Sequence, residues 1–169
     1  MFVAFNELPE TARVWIYQSN RSFTSEEIIE IENQLKTFLA HWSAHGSGLE
    51  SSFELRYNRF IIIAVNQEVH QASGCAIDEQ VRFIQQLEKQ YQVDLLDKMN
   101  VSYKQGEYIA YKNLSDFKKM AKERAVSANT IVFNNLVTNK YEYEHFWEVP
   151  MAEKLAQQIY LKTIKTVYL

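Results

Sequence analysis

Apolar residues recur along this chain in two distinct rhythms, and the alternation between them sets out the elements. Arg13 to Gln18, RVWIYQ, is apolar on both sides of an extended chain: Val14 and Ile16 point one way, Trp15 and Tyr17 the other, which predicts a central strand. A helix is then predicted from Thr24, with Glu27 placed for a capping box and Phe23 for a staple onto Ile28. Ile28, Ile31, Leu35, Phe38, Leu39 and Trp42 follow at helical spacing, and Gly46 and Gly48 supply the stop. Phe53, Leu55 and Tyr57 alternate with Glu54 and Arg56, as in a strand with one wet face. Asn58-Arg59 is the predicted two-residue turn into Phe60–Val65, a continuous apolar run that should be buried on both faces. A second helix is predicted after Ser73, with Ile77, Val81, Ile84, Leu87 and Tyr91 as its inward stripe.

Met99, Val101 and Tyr103 alternate in MNVSY and offer a fourth strand, which completes the order β-α-β-β-α-β. That order predicts an α+β fold with a ferredoxin-like split motif and an antiparallel sheet. The two strands apolar on both faces would be its central pair, with both helices on one side. Beyond it, Lys104-Gln105-Gly106-Glu107 reads as a hairpin turn into Tyr108–Tyr111, and Ser115 as the cap of a short helix carrying Phe117, Met120 and Ala121. Thr130–Val137 reads as a further strand and Tyr141–Trp147 as a helix. Pro150 suits the first turn of a C-terminal helix with Leu155, Ile159 and Val167 inward. The expected organisation is one domain over 1–169, with a core over about 12–111 and an extension over about 112–169.

Composition narrows the classes. The chain is 47% hydrophobic and 23% charged, with four Gly and two Pro, which argues against disordered linkers. Its longest apolar run, Phe60–Val65, is far below the roughly 20 residues a membrane span needs. MFVAFNELPE has neither the basic nor the apolar region of a signal peptide, and one cysteine makes no internal disulfide; both fit the cytoplasm. A net charge of −3 predicts neither nucleic acid nor membrane as partner, and the basic cluster Lys118, Lys119, Lys122 and Arg124 reads as a solvated face.

The segments FNELPE, RVWIYQS, HWSAHG, FELRYNRFIIIAV, ASGCAID and NTIVFNNLV resemble a small family of uncharacterised bacterial proteins, some of which carry the label ABC transporter ATPase. The similarity runs from residue 1 to about residue 150 and implies no fold, cofactor or catalytic residue. The label implies a phosphate-binding loop GxxxxGK[ST], whose backbone N–H groups and lysine hold the nucleotide. None of Gly46, Gly48, Gly74 and Gly106 is followed by Lys, so ATP hydrolysis is not expected.

The remaining chemistry centres on Ser73-Gly74-Cys75, with Asp78 one turn on. A helix start collects free N–H groups and can hold an anion or activate a thiol. Against that, Ser73 makes an ordinary cap, Cys75 an ordinary buried residue, and Asp78 would repel an anion. Arg56 and His45 are candidate neighbours in a ligand site. His41 and His45 have chelating spacing but no third ligand, so no metal and no cofactor is expected. The sequence therefore points to a non-catalytic domain that binds a protein or small ligand, with itself, as a homodimer, or another protein as partner. An enzyme or anion-binding protein using Ser73-Gly74-Cys75, and a structural subunit of a larger complex, are the alternatives.

Overall fold

The protein is described by a computed structural model over residues 1–153. It is a mixture of helices and antiparallel sheet, divided into two compact units. The first comprises Met1–Asp97 and Asn135–Glu144; the second comprises Lys98–Asn134 and, among the described residues, 145–153. No described helix is long and apolar enough to cross a membrane.

The sheet of the first unit has the order β1 (Arg13–Gln18), β5 (Phe60–Val65), β4 (Ser51–Arg56), all antiparallel. All six residues of β5 are buried, as their unbroken apolarity requires of a central strand. Register places Tyr17 and Leu55 opposite Ile61, and Trp15 and Phe53 opposite Ile63. These share one face with Val65. Helix α1 (Ser25–His41) and helix α2 (Gly74–Tyr91) both pack there, through Ile31, Leu35 and Leu39 of α1 and Ala76, Ile84, Leu87 and Tyr91 of α2. Phe38 and Phe83 stack between the helices with centroids 4.5 Å apart.

Helix α1 begins as its sequence demands. The Thr24 hydroxyl accepts from the Glu27 backbone at 3.2 Å, and the Glu27 carboxylate accepts from the Thr24 N–H at 2.9 Å. Its end differs from expectation. The helix stops at His41, before the glycines, and Trp42 turns inward as a fully buried ring whose Nε1–H donates to the Ala76 carbonyl at 2.9 Å. A small hairpin follows, β2 (Ser43–Ala44) and β3 (Ser47–Gly48), turning on His45 and Gly46, both at positive φ, as in a type I′ turn. The turn between β4 and β5 also differs: it holds Tyr57, Asn58 and Arg59, since Arg56 faces Phe60, and positive φ falls on Tyr57 and Asn58.

The fourth strand departs from the ferredoxin-like expectation. β1, α1, β4, β5 and α2 come in the expected order along the chain, but Asn100–Gln105, β6, belongs to the second unit. There it pairs with β7 (Tyr108–Asn113) and β8 (Ile131–Phe133). The place beside β1 goes instead to the returning chain, where the Val14 N–H donates to the Thr138 carbonyl at 2.9 Å and Arg13 bridges Asn139. The two-residue turn at Gly106-Glu107 closes β6 onto β7, a hairpin partner that follows at once in sequence. Gly106 takes positive φ there.

The second unit has the sheet order β7, β6, β8, β9 (Glu148–Pro150), with helix α3 (Leu114–Lys122) laid on one face. Val101, Tyr103, Val132, Val149, Phe117 and Val126 form its core. Asn113, not Ser115, caps α3, its side chain accepting from the Asp116 N–H at 2.8 Å. Helix α4 (Lys140–Phe146) forms where a helix is expected, but Pro150 lies in β9 and helical backbone starts at Met151. Leu155, Ile159 and Val167 lie outside the described residues.

The α2 stripe contains one residue that hydrophobicity hides. Gln80 is 0% exposed and occupies the inward face one turn from both Ala76 and Ile84. Its Oε1 accepts the Tyr17 hydroxyl proton, and its Nε2 has no protein partner. Burial pushes the Tyr17 phenol well above its ordinary range, with Arg13 opposing, so the hydroxyl stays a neutral donor. Tyr17→Phe strands both ends of the Gln80 amide and should cost about 1–3 kcal/mol in urea unfolding. The double change Tyr17→Phe with Gln80→Met should recover most of that loss, because no buried polar group is then left unpaired.

Candidate functional site

The structure disperses the residues that the sequence nominates. Ser73 caps α2, its hydroxyl accepting from the Ala76 N–H at 3.2 Å. Gly74, Cys75 and Asp78 are exposed on the first turns. Exposure of Cys75 corrects the reading of it as a buried residue. The helix stripe runs through Ala76 and Gln80, which turns position 75 outward, while Ile77 and Val81 are only partly buried.

Arg56 lies on the opposite face of the sheet from α2, because it alternates with Phe53 and Leu55, which face the helices. It joins another cluster. The Tyr143 hydroxyl donates to Glu54 at 2.6 Å and accepts from Arg56 Nη1 at 3.3 Å, and Phe5 packs edge-on to the Tyr143 ring. Burial and the adjacent Glu54 hold the Tyr143 phenol protonated well above its ordinary range. Burial opposes the Arg56 cation, but Tyr143 and Glu54 outweigh it and hold its pKa above the ordinary value. The cluster is thus a clamp that keeps one proton on Tyr143. His45 sits on the β2–β3 turn, and no hydrogen bond joins it to Cys75. His41 bonds its own helix, through the Thr37 carbonyl at 3.0 Å. Among the described residues no group of three His, Cys, Asp or Glu is placed to hold a metal.

Two residues of this unit were not nominated by the sequence. Lys140 is buried, donates to the Leu8 carbonyl at 2.7 Å, and lies 3.8 Å from Glu144 and 5.6 Å from the Phe5 ring centroid. Tyr91 is met by Glu30, Gln34 and Gln90, and burial with the Glu30 hydrogen bond pushes its phenol up to about 12. Both networks are internally satisfied. An open depression at the end of α2, lined by Asn20, Gln85, Glu88, Lys89, Gln92, Val93 and Asp94, is likewise occupied by its own bonds. Glu88 accepts from the Leu95 and Leu96 N–H groups, and Asn20 exchanges bonds with Asp94.

The second unit presents a surface that is not satisfied internally. Residues 98–134 hold seven of the 18 Lys and Arg but only three of the 21 Asp and Glu. The inward positions of α3 are Phe117, Met120 and Ala121, which turns Lys118, Lys119 and Lys122 to solvent. Lys112 on β7 and Arg124 just past α3 are exposed as well. None of these five cations has an ion-pair partner among the described residues. The carboxylate of Asp116 is engaged by the Asn113 side chain, and that of Glu148 by Lys104 at 2.6 Å, so two nearby acids are spoken for. Glu123 and Glu107 are the remaining acids of the stretch.

Arg124 is held at φ 58°, past the end of α3. Its N–H donates to the Ala121 carbonyl and that of Ala125 to the Met120 carbonyl, the Schellman pattern, in which glycine is the usual residue.

Comparison with protein-family models, with curated proteins and with solved structures finds no match to this chain.

Because Cys75 is exposed, iodoacetamide should label it in the native protein at a rate close to that of the unfolded chain. Labelling that required urea would show the thiol to be shielded.

Proposed function

We infer that this chain is a non-catalytic binding domain whose docking surface is the cationic face of α3 and β7 and whose partner is anionic. The observation that carries this reading is the set Lys112, Lys118, Lys119, Lys122 and Arg124, all exposed and none ion-paired among the described residues. The negative end of the helix dipole favours Lys119 and Lys122, in the last turn, but not Lys112 or Lys118. Lys118 and Lys122 are i, i+4 neighbours whose repulsion costs about 0.2–0.5 kcal/mol. An anion bound along that face removes the repulsion and gains charge-assisted hydrogen bonds.

A cytoplasmic location, suggested by a lone unpaired thiol, is compatible with this reading. A second reading has one observation in its favour. Cys75 is exposed at the first turn of α2, beside the Ser73 cap, and this keeps an enzyme or anion-binding role for Ser73-Gly74-Cys75 as the alternative.

Heparin is the probe for the cationic face. The protein should bind it with an affinity that falls steeply with salt, and Lys118→Glu with Lys122→Glu should abolish binding while leaving the circular dichroism spectrum nearly unchanged. Retention of full affinity by that variant would overturn the assignment. Arg124→Gly should separate stability from binding. It relieves a left-handed residue and should stabilise the fold by about 1 kcal/mol, yet it removes a cation and should weaken heparin binding.

A further inference from the structure

We propose that the anion recognised by this face is a single-stranded nucleic acid, whose phosphates lie along α3 and whose bases stack on Tyr108. The proposal rests on the anionic-partner reading and deepens it.

Tyr108 is 80% exposed, the highest value among the exposed large apolar side chains of the described residues, and its hydroxyl makes no hydrogen bond among them. It follows the turn at Gly106-Glu107 and is the first residue of β7, so the backbone on both sides of it is fixed. Alternation along β7 puts Tyr108, Ala110 and Lys112 on one face of the sheet. Ala110 packs against the core under α3, which identifies that face as the one carrying the helix. An aromatic ring and a lysine further along the strand therefore share the sheet face on which α3, with its exposed cations, is laid. That combination suits a flexible strand, whose phosphates need cations and whose unpaired bases need a π-face.

The alternatives fit the same residues less well. A duplex keeps its bases stacked on one another and would leave Tyr108 without a partner. A membrane-surface helix sinks an apolar face into the lipid boundary, but Phe117, Met120 and Ala121 of α3 are already committed to the protein core. The chain's overall charge of −3 does not oppose the proposal, because binding responds to the local field, which here comes from residues 98–134.

The experiment is fluorescence anisotropy with a labelled single-stranded oligonucleotide of mixed sequence. The same oligonucleotide as a duplex, heparin as competitor and phosphatidylserine vesicles serve as the other arms. The single strand should bind more tightly than the duplex. The slope of log K against log salt should fall by about 0.7 for each cation removed, so by about 1.4 for Lys118→Ala with Lys122→Ala. Tyr108→Ala should weaken the single strand roughly tenfold or more without changing that slope, and should leave heparin binding intact. Equal affinity for duplex and single strand, or an unchanged single-strand affinity in Tyr108→Ala, overturns the nucleic-acid assignment while heparin binding upholds the anionic partner. Vesicle binding without oligonucleotide binding has the same effect. Failure of heparin and oligonucleotide alike overturns both.

Discussion

Burial of one strand on both faces is the constraint from which the first unit follows. Phe60–Val65 is apolar at every position, and each fully buried Val, Ile or Phe side chain contributes about 1.5–3 kcal/mol. A strand of that kind needs cover on two sides. Helices α1 and α2 supply it on the face of Ile61, Ile63 and Val65. On the other face the chain uses pieces distant in sequence. Tyr143 of α4 reaches Glu54 and Arg56, Phe5 packs on Tyr143, and Lys140 ties α4 to Leu8. Segment 135–144 thus returns to the first unit after the chain has laid down β6, β7, α3 and β8 of the second, and before it adds β9.

Polar groups inside the first unit set position rather than add net stability. The Tyr17–Gln80 pair fixes α2 along its axis over the sheet, since a shift of one residue would break the bond and bury two unpaired groups. Trp42 does the same between the helices, filling space with its ring and bonding Ala76 with its N–H. Arg21 links the start of α1 to the end of α2, through a two-pronged pair with Glu27 and a bond to the Tyr91 carbonyl at 2.7 Å. Each device joins elements that apolar packing alone would leave free to slide.

Cations fall into two groups, those held within the fold and those left at its surface. In the first, buried or half-buried cations meet carboxylates or carbonyls: Arg21 with Glu27, Arg56 with Glu54, Lys140 with Leu8. In the second, the exposed cations of α3 and its neighbours have no such partner among the described residues. Net charge averages these two situations and so gave no hint of the cationic face. The residues of that face were visible as a cluster in the sequence, but whether a lysine is already paired depends on what the fold brings beside it.

The hydrophobic pattern was sufficient for β1, β5, α1, the hairpin of β6 and β7, and α3, because strand alternation, helical spacing and capping act over a few residues. The Thr24–Glu27 box and the central place of Phe60–Val65 were readable for that reason. The sheet to which Asn100–Gln105 belongs was not readable, since an alternating strand pairs equally well with any compatible edge. Nor was the site. Cys75 and Arg56 lie close to one element in sequence, yet Cys75 faces solvent on α2 and Arg56 points to the opposite side of the sheet. Gln80 counted as polar, and its burial follows only from Tyr17, 63 residues away, bringing a hydroxyl to meet it. Local periodicity and end-capping determined which segments form and which way their apolar sides face. Tertiary structure decided which segments meet, and with them which polar groups are satisfied within the fold and which are left to a partner, because those pairings join residues that no local pattern connects.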